Sequence, residues 1–258
     1  MPLSIINSIA SWLIKKRLHE IELFIKYPIE VQNEWLMELI YTAKDTEFGT
    51  KYDFKSISSY FTFAQRVPLQ DYESLKPYIE RNRQGAQNLL WPTDIIWFAK
   101  SSGTTDKSKF IPVSKETLEE CHYNGGKDMI ALYIRNYENS QLFTGKNLAL
   151  GGTWKTFESE NHQSFYGDVS AIIIQNLPVW AEFFRAPALE IALLDEWEKK
   201  LELLSETMKN ENVVSIAGVP SWMLVLLKKI IEKKQRRYIT EVWPNLEVYF
   251  HGGINYEP

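Results

Sequence analysis

Cysteine is almost missing from this 258-residue chain: Cys121 stands alone. No disulfide can therefore form within the chain, and a reducing compartment fits. As a nucleophile Cys121 needs a base, and His122 adjoins it, but successive helix residues do not face each other; Cys121 reads as structural. Four scattered histidines and one cysteine leave no visible metal-binding cluster, and there is no HExxH. A GxSxG elbow is absent too, since GVPSW at 218–222 has proline where that turn has none. There is no GxGxxG, and a Walker A loop needs glycine immediately before its lysine, where this chain has Asp106 before Lys107. Neither sign of charge dominates, with 29 Lys and Arg against 33 Asp and Glu, so nothing global points to nucleic acid. Long apolar runs are lacking as well. The opening MPLSIINSIASWLIKKR is too short and too polar to span a bilayer. It has no basic stretch before its apolar residues and no small-residue cleavage site after them. The reading is a cytoplasmic protein with neither a membrane nor a nucleic acid as partner.

What is present is ordinary globular composition, 45% hydrophobic and 24% charged, with length enough to bury a core. Nine Trp, thirteen Tyr and thirteen Phe make a heavy aromatic load. Core packing and the lining of a binding cleft read identically in such a count. The basic run KKIIEKKQRR, 228–237, reads as the solvated end of a helix, where cations are favoured, ahead of a phosphate patch.

Periodicity predicts helix over most of residues 1–90. Leu3, Ile6, Ile9 and Leu13 share one helical face, read as packed on the domain. Val31, Trp35, Leu36, Leu39 and Ile40 form a second stripe that stops near Gly49. The segment DYESLKPYIERNRQG continues as helix with a break or kink expected at Pro77. From residue 91 the texture becomes α/β. Ile95–Ala99 and Phe110–Val113 read as strands, the second short or at an edge because of Pro112. Ser114 can cap a long helix through Leu118, Met129, Leu132 and Tyr133, in which Gly125 and Gly126 suggest close packing or a break. Residues 147–151 and 171–174 read as strands, 197–208 as helix, 213–216 as strand, 221–235 as helix and 246–251 as strand. The last three have the spacing of a βαβ unit and imply a parallel sheet.

Between the first two strands lies SSGTTDKSK, residues 101–109. Serine, threonine and glycine bury little apolar area, so this stretch adds almost nothing to a core. It offers backbone N–H groups, hydroxyls and two ammonium groups. Such a loop is either a solvated turn or a cradle for an anion, and composition alone leaves both open.

The motif SSGTTxxxK resembles the phosphate loop of the adenylate-forming superfamily. AKDTEFG at 43–49, RVPLQDYESLKPYIER at 66–81 and the loop running into KFIPVS narrow the resemblance. So do YGDVSAIIIQNLPVWAEFF at 166–184, GVPSW at 218–222 and HGGINYEP at 251–258. Together they resemble the auxin-responsive Gretchen Hagen acyl acid amido synthetases of plants and their bacterial relatives, along essentially the whole chain. The resemblance implies an α/β fold, the N-terminal lobe of an adenylate-forming, luciferase-like enzyme with a mixed sheet and flanking helices. It implies ATP and Mg²⁺ as cofactors, and a small carboxylic acid with an amine or amino acid as partners. An acyl-CoA ligase and a non-catalytic nucleotide-binding module are the competing readings.

By the loop match, Ser101, Ser102, Gly103, Thr104 and Thr105 become candidates for the β- and γ-phosphates, with Lys107 and Lys109 as catalytic counter-charges. Gly252 and Gly253 resemble the glycine pair against which adenosine packs, a plain turn being the alternative. Trp154, Trp222 and His251 line the acyl pocket or simply pack. The loop amides and the glycine pair are expected to face one cleft. Two departures stand out. The family pattern carries one more residue between SSGTT and KSK. Members are also roughly twice this length, with a magnesium glutamate, a ribose aspartate and a mobile C-terminal domain beyond the glycine pair. The resemblance therefore implies that 1–258 is the incomplete front of an adenylating domain, expected by itself to bind ATP poorly and form no acyl-adenylate.

Overall fold

The computed structural model describes residues 3–101, 108–159 and 162–252. They fall into two compact units: one comprises Lys16–Met129 and Lys155–Gly167, the other Ile130–Trp154 with the residues up to Lys15 and from Asp168 onward. Each has its own sheet among the described residues.

The first unit opens with helices, as the sequence predicts for residues 1–90. Helix Pro28–Ala43 starts with proline at its first turn and ends before Gly49, because Thr46 caps the next helix, Glu47–Lys51, by accepting the Gly49 N–H at 2.9 Å. Of the predicted stripe only Ile40 is fully buried, joining Ala43, Phe54 and Ile57 in a small core, while Trp35 and Leu39 are exposed. Helix Tyr72–Arg83 is fixed at its start by a capping box, in which the Asp71 carboxylate and the Ser74 hydroxyl accept each other's amides at 2.8 and 3.0 Å. Pro77 does not break it: the capped start and the buried Ile79 and Asn82 carry the helix past the missing N–H.

The mixed sheet has the order β2-β1-β5-β4, with β1 Trp97–Lys100, β2 Phe110–Val113, β4 Trp154–Ser159 and β5 His162–Gly167. Strands β1 and β2 pair antiparallel, Phe98 opposite Pro112, and β1 runs parallel to β5. Pro112 sits on the edge strand, where a missing donor is tolerated. Ser114 accepts the Thr117 N–H at 3.1 Å and starts the long helix as expected. Its first stretch, Thr117–Tyr123, is wound as a π-helix before Asn124–Asn136 continues as α-helix. Neither break nor close packing occurs at Gly125 and Gly126, which face open space. Cys121 is exposed in the π-wound stretch.

The second unit holds a parallel sheet, β6-β3-β7-β8, built from β3 Lys146–Ala149, β6 Arg185–Ala186, β7 Val213–Ala217 and β8 Val248–Phe250. Strands β7 and β8 with the helix Pro220–Lys233 between them form the βαβ unit that the spacing predicts. Val213 and Val214 are fully buried, as befits a strand covered on both faces. Leu148, Ile216, Leu204, Met208, Met223, Leu226 and Trp243 make the core, and the Trp243 indole N–H donates to the Met208 carbonyl at 3.0 Å.

Two expectations fail here. Residues 171–174 are not a strand but part of helix Val169–Gln175, since a short buried apolar run has no period that tells helix from strand. The opening helix, Leu3–Lys15, leaves Leu3, Ile9 and Leu13 about half exposed and turns Asn7 and Ile14 inward. Asn7 is drawn in by backbone: it donates to the Ser140 carbonyl at 2.9 Å and accepts the Phe143 N–H at 3.0 Å.

The basic run is the solvated helix end foreseen. Lys229 and Lys233 reach Glu202 at 2.6 and 2.5 Å, and Lys233 also reaches Glu206 at 3.1 Å, tying two helices together. Hydrogen bonds from these lysines push the Glu202 carboxyl down to about 2 from 4.5. A depressed carboxyl stabilises the fold above its unfolded value, and the contribution disappears as pH falls through the folded value. Glu202→Gln should therefore lower the urea midpoint near neutral pH, the deficit shrinking as pH drops from 4.5 toward 2. Leu226→Ala, at a fully buried position, should cost about 2–5 kcal/mol in the same urea titrations.

Candidate functional site

The hydroxyl loop leaves β1 and returns into β2, and its ends are held together. The Ser101 amide donates to the Lys109 carbonyl at 2.9 Å, and the next amide, that of Phe110, donates to the Tyr72 hydroxyl at 2.9 Å. Tyr72 is placed by the capped start of its helix, and its ring centre lies 5.3 Å from the exposed Lys109 ammonium. Hydrogen bonds from Ser74, with a smaller contribution from the Lys109 charge, hold the Asp71 carboxyl below its ordinary range. The Ser101 hydroxyl oxygen is buried and has no hydrogen-bond partner among the described residues. Beside the returning strand the buried Arg83 guanidinium lies 3.8 Å from the ring centre of Phe110 and 4.7 Å from that of Phe157, and it pairs with Glu80 at 3.0 Å. Ser102, Gly103, Thr104, Thr105, Asp106 and Lys107 lie outside the described residues, as does Gly253, and so does the expectation that loop and glycine pair face one cleft.

In the second unit the chain passes from β3 to β6 on one side, then crosses to β7 on the other and continues outward to β8. Connections diverge between β3 and β7, and in parallel sheets such a point leaves a crevice outside the carboxyl ends of the strands. The residues found there are Leu150, Gly151 and Gly152 after β3, Gly218 after β7, and His251 and Gly252 after β8. Gly218 has φ +152°, and a Cβ there would press to 3.2 Å on Leu150. Its amide donates to the Phe250 carbonyl at 3.1 Å and its carbonyl accepts the Tyr249 hydroxyl at 2.9 Å. Trp222, in the first turn of the helix after Gly218, is half exposed and packs edge-on against Trp197 with ring centres 4.6 Å apart.

A lysine that the sequence reading passed over reaches the same edge. Lys200 is 2% exposed, and its ammonium donates to the Gly151 carbonyl at 2.8 Å and the Gly152 carbonyl at 3.3 Å. The Gly152 amide donates to the Ser170 hydroxyl at 3.0 Å and the Thr153 amide to the Asp168 carboxylate at 3.1 Å. A Cβ on Gly152 would overlap that carboxylate. Burial pushes the Lys200 ammonium below the ordinary lysine range, opposed by the nearby Asp168 and Asp195 charges. One signal was available: Lys200 occupies the stripe of Trp197, Leu204 and Met208, a place for an apolar residue.

Of the other sequence candidates, Trp154 is half-buried at the start of β4, while His251 is exposed with its ring 5.3 Å from that of Tyr249. Gly252 is exposed, with open space where a Cβ would stand. Trp222, His251 and Gly252 thus belong to the carboxyl edge of the parallel sheet, whereas Ser101 and Lys109 belong to the other unit. Among the described residues no group of three His, Cys, Asp or Glu could hold a metal ion, and no helix is long and apolar enough to cross a membrane.

Comparison with known proteins adds a family. The model of the GH3 family N-terminal domain matches residues 17–258. Indole-3-acetic acid-amido synthetase GH3.2 of Arabidopsis thaliana is 33% identical over 106 residues, 40% of this chain and 19% of its own length. A probable indole-3-acetic acid-amido synthetase, GH3.1 of the same plant, is 31% identical over 106 residues, 40% of this chain and 18% of its own. Among solved structures, the GH3.15 acyl acid amido synthetase superposes with a TM-score of 0.71 at 16% identity, covering 91% of this chain. The chain spans 50% of that solved chain. A second structure, AtGH3.15 in complex with 2,4-DB, gives a TM-score of 0.63 at 19% identity over 79% of this chain and 36% of its own. The mixed α/β fold is therefore that of these synthetases.

Tyr72→Phe should loosen the neck of the hydroxyl loop. It leaves the part-buried Phe110 amide without its acceptor, at a cost of about 1–3 kcal/mol, read as a lowered urea midpoint.

Proposed function

Because the chain belongs to the GH3 family, matching its N-terminal domain over residues 17–258, we propose that it activates a small carboxylic acid with ATP and passes the acyl group to an amine or amino acid. On this reading residues 1–258 are the front of an adenylating domain. The observation that carries the reading is the hydroxyl loop: an SSGTT stretch between two paired strands, with its neck closed at Ser101 and Lys109. The donors available to it suit an anion, since they are hydroxyls, amides and ammonium groups, and the Ser101 hydroxyl has no partner among the described residues.

In the proposed site Ser101, Ser102, Gly103, Thr104 and Thr105 hold the β- and γ-phosphates, and Lys107 and Lys109 offset their charge. Gly252 and Gly253 pack on the adenosine, while Trp154, Trp222 and His251 border the acid. Mg²⁺ enters with the nucleotide phosphates, as this ion commonly does. ATP supplies an activated α-phosphorus: a carboxylate oxygen bonds to it as pyrophosphate leaves, and the amine nitrogen then bonds to the acyl carbon as AMP leaves and the nitrogen loses a proton. The acid is already ionised at neutral pH and brings its own nucleophile, which fits a chain without a serine, cysteine or histidine triad motif. The protein's task is positioning and charge stabilisation.

A panel of aromatic, fatty and indole carboxylates, assayed for pyrophosphate release by the protein that carries this chain, should yield at least one substrate; silence across the panel contradicts the proposal. With that substrate, Lys109→Ala should raise KM for ATP by about ten- to a hundredfold, the loss of one charge-assisted contact of roughly 1.5–3 kcal/mol. An unchanged KM removes Lys109 from the site.

A further inference from the structure

We propose that Lys200 is a positioning residue: it fixes the Gly151–Thr153 turn as one wall of the crevice at the carboxyl ends of β3 and β7, and this wall sets the affinity for the carboxylic acid. The substrate half of the proposal rests on the function proposed above. The wall itself rests on geometry alone.

The turn is held from both sides of its backbone. Lys200 takes the two carbonyls of Gly151 and Gly152, while Ser170 and Asp168 take the amides of Gly152 and Thr153. Four successive polar groups are thus satisfied by side chains, leaving the turn little freedom to rearrange. Burying an ammonium is costly unless it is well bonded. A leucine or methionine in the stripe between Trp197 and Leu204 would fill the same space without that cost. The ammonium accomplishes what an apolar residue cannot, which is to place the carbonyls of a glycine turn.

Location gives the turn its role. It follows β3 directly, and the Leu150 amide before it bonds the Ala217 carbonyl at 2.9 Å, so it stands at the divergence point where parallel sheets bind ligands. Trp197 opens the helix that carries Lys200, and its partner Trp222 is half exposed. An apolar aromatic face on the helix whose lysine holds the polar turn suits the body of a small organic acid.

Kinetics and amide exchange test this together. With an acid that the protein activates, Lys200→Met and Ser170→Ala should each raise KM for the acid about fivefold or more, leaving kcat and KM for ATP within about twofold. By hydrogen exchange, the Gly152 and Thr153 amides in Lys200→Met should exchange about tenfold faster than in the native chain, with the Leu150 and Gly218 amides unchanged. A parallel fall of kcat and rise of both KM values that tracks lost stability overturns the positioning role. Unchanged exchange at Gly152 and Thr153 overturns the wall. Should Lys200→Met fail to fold, Ser170→Ala decides both points, because it removes the acceptor of the Gly152 amide and nothing from the core. A native protein inactive toward every acid defeats the functional reading, and amide exchange then still decides whether Lys200 holds the turn.

Discussion

The pairing of β3 with a neighbour on each side is the constraint from which the parallel-sheet unit follows. With β6 on one edge and β7 on the other, all parallel, the chain must cross over β3 between them. Every strand then ends on the same edge of the sheet, and the connections diverge there. The register places Leu148 against Ile216 in the buried middle, so the residues just past the strands are the ones left at the rim. Among them are four glycines, Gly151, Gly152, Gly218 and Gly252. Small residues at a strand's carboxyl end allow backbone to approach backbone, or a ligand to approach both. The same parallel pairing that buries Val213 and Val214 therefore also sets the divergence point at which parallel sheets bind ligands.

Polar satisfaction does the rest of the shaping, and it is done differently in the two units. At the parallel-sheet edge a buried ammonium, a hydroxyl and a carboxylate saturate one glycine turn, making a rigid element. At the neck of the hydroxyl loop the Lys109 carbonyl takes the Ser101 amide and the Tyr72 hydroxyl takes the Phe110 amide. The Ser101 hydroxyl has no partner among the described residues, and Lys109 is exposed. The glycine turn has four successive backbone groups paired with side chains, while the neck of the loop keeps one described hydroxyl unpaired.

Much of the fold was legible in the sequence where long elements had a clear period or punctuation. Helix Trp197–Met208, strand β7 and helix Pro220–Lys233 follow their patterns, and Pro112 marks the edge strand correctly. The run at 171–174 misled because a buried helix and a buried strand are both uniformly apolar when short. Strands β4 and β5 were missed because their faces mix Trp154, Phe157 and Tyr166 with Lys155, Glu158 and Gln163, so no alternation stands out. The opening helix misled for a different reason: the backbone of 140–143 needed the Asn7 amide, a tertiary demand that no local pattern announces. For the site, the strand–loop–strand setting of SSGTT could be read directly. Lys200 could not, since its meaning depends on a turn about fifty residues away in sequence whose carbonyls it reaches only in the folded chain.

The central claim is that a carboxylate oxygen bonds to the α-phosphorus of ATP. It is tested most directly by following that oxygen. Turnover with an acid labelled with heavy oxygen in its carboxylate, ATP and an amine acceptor should deliver one labelled oxygen into each AMP formed, with unlabelled pyrophosphate. Unlabelled AMP, or label appearing in inorganic phosphate beside ADP, would contradict the account.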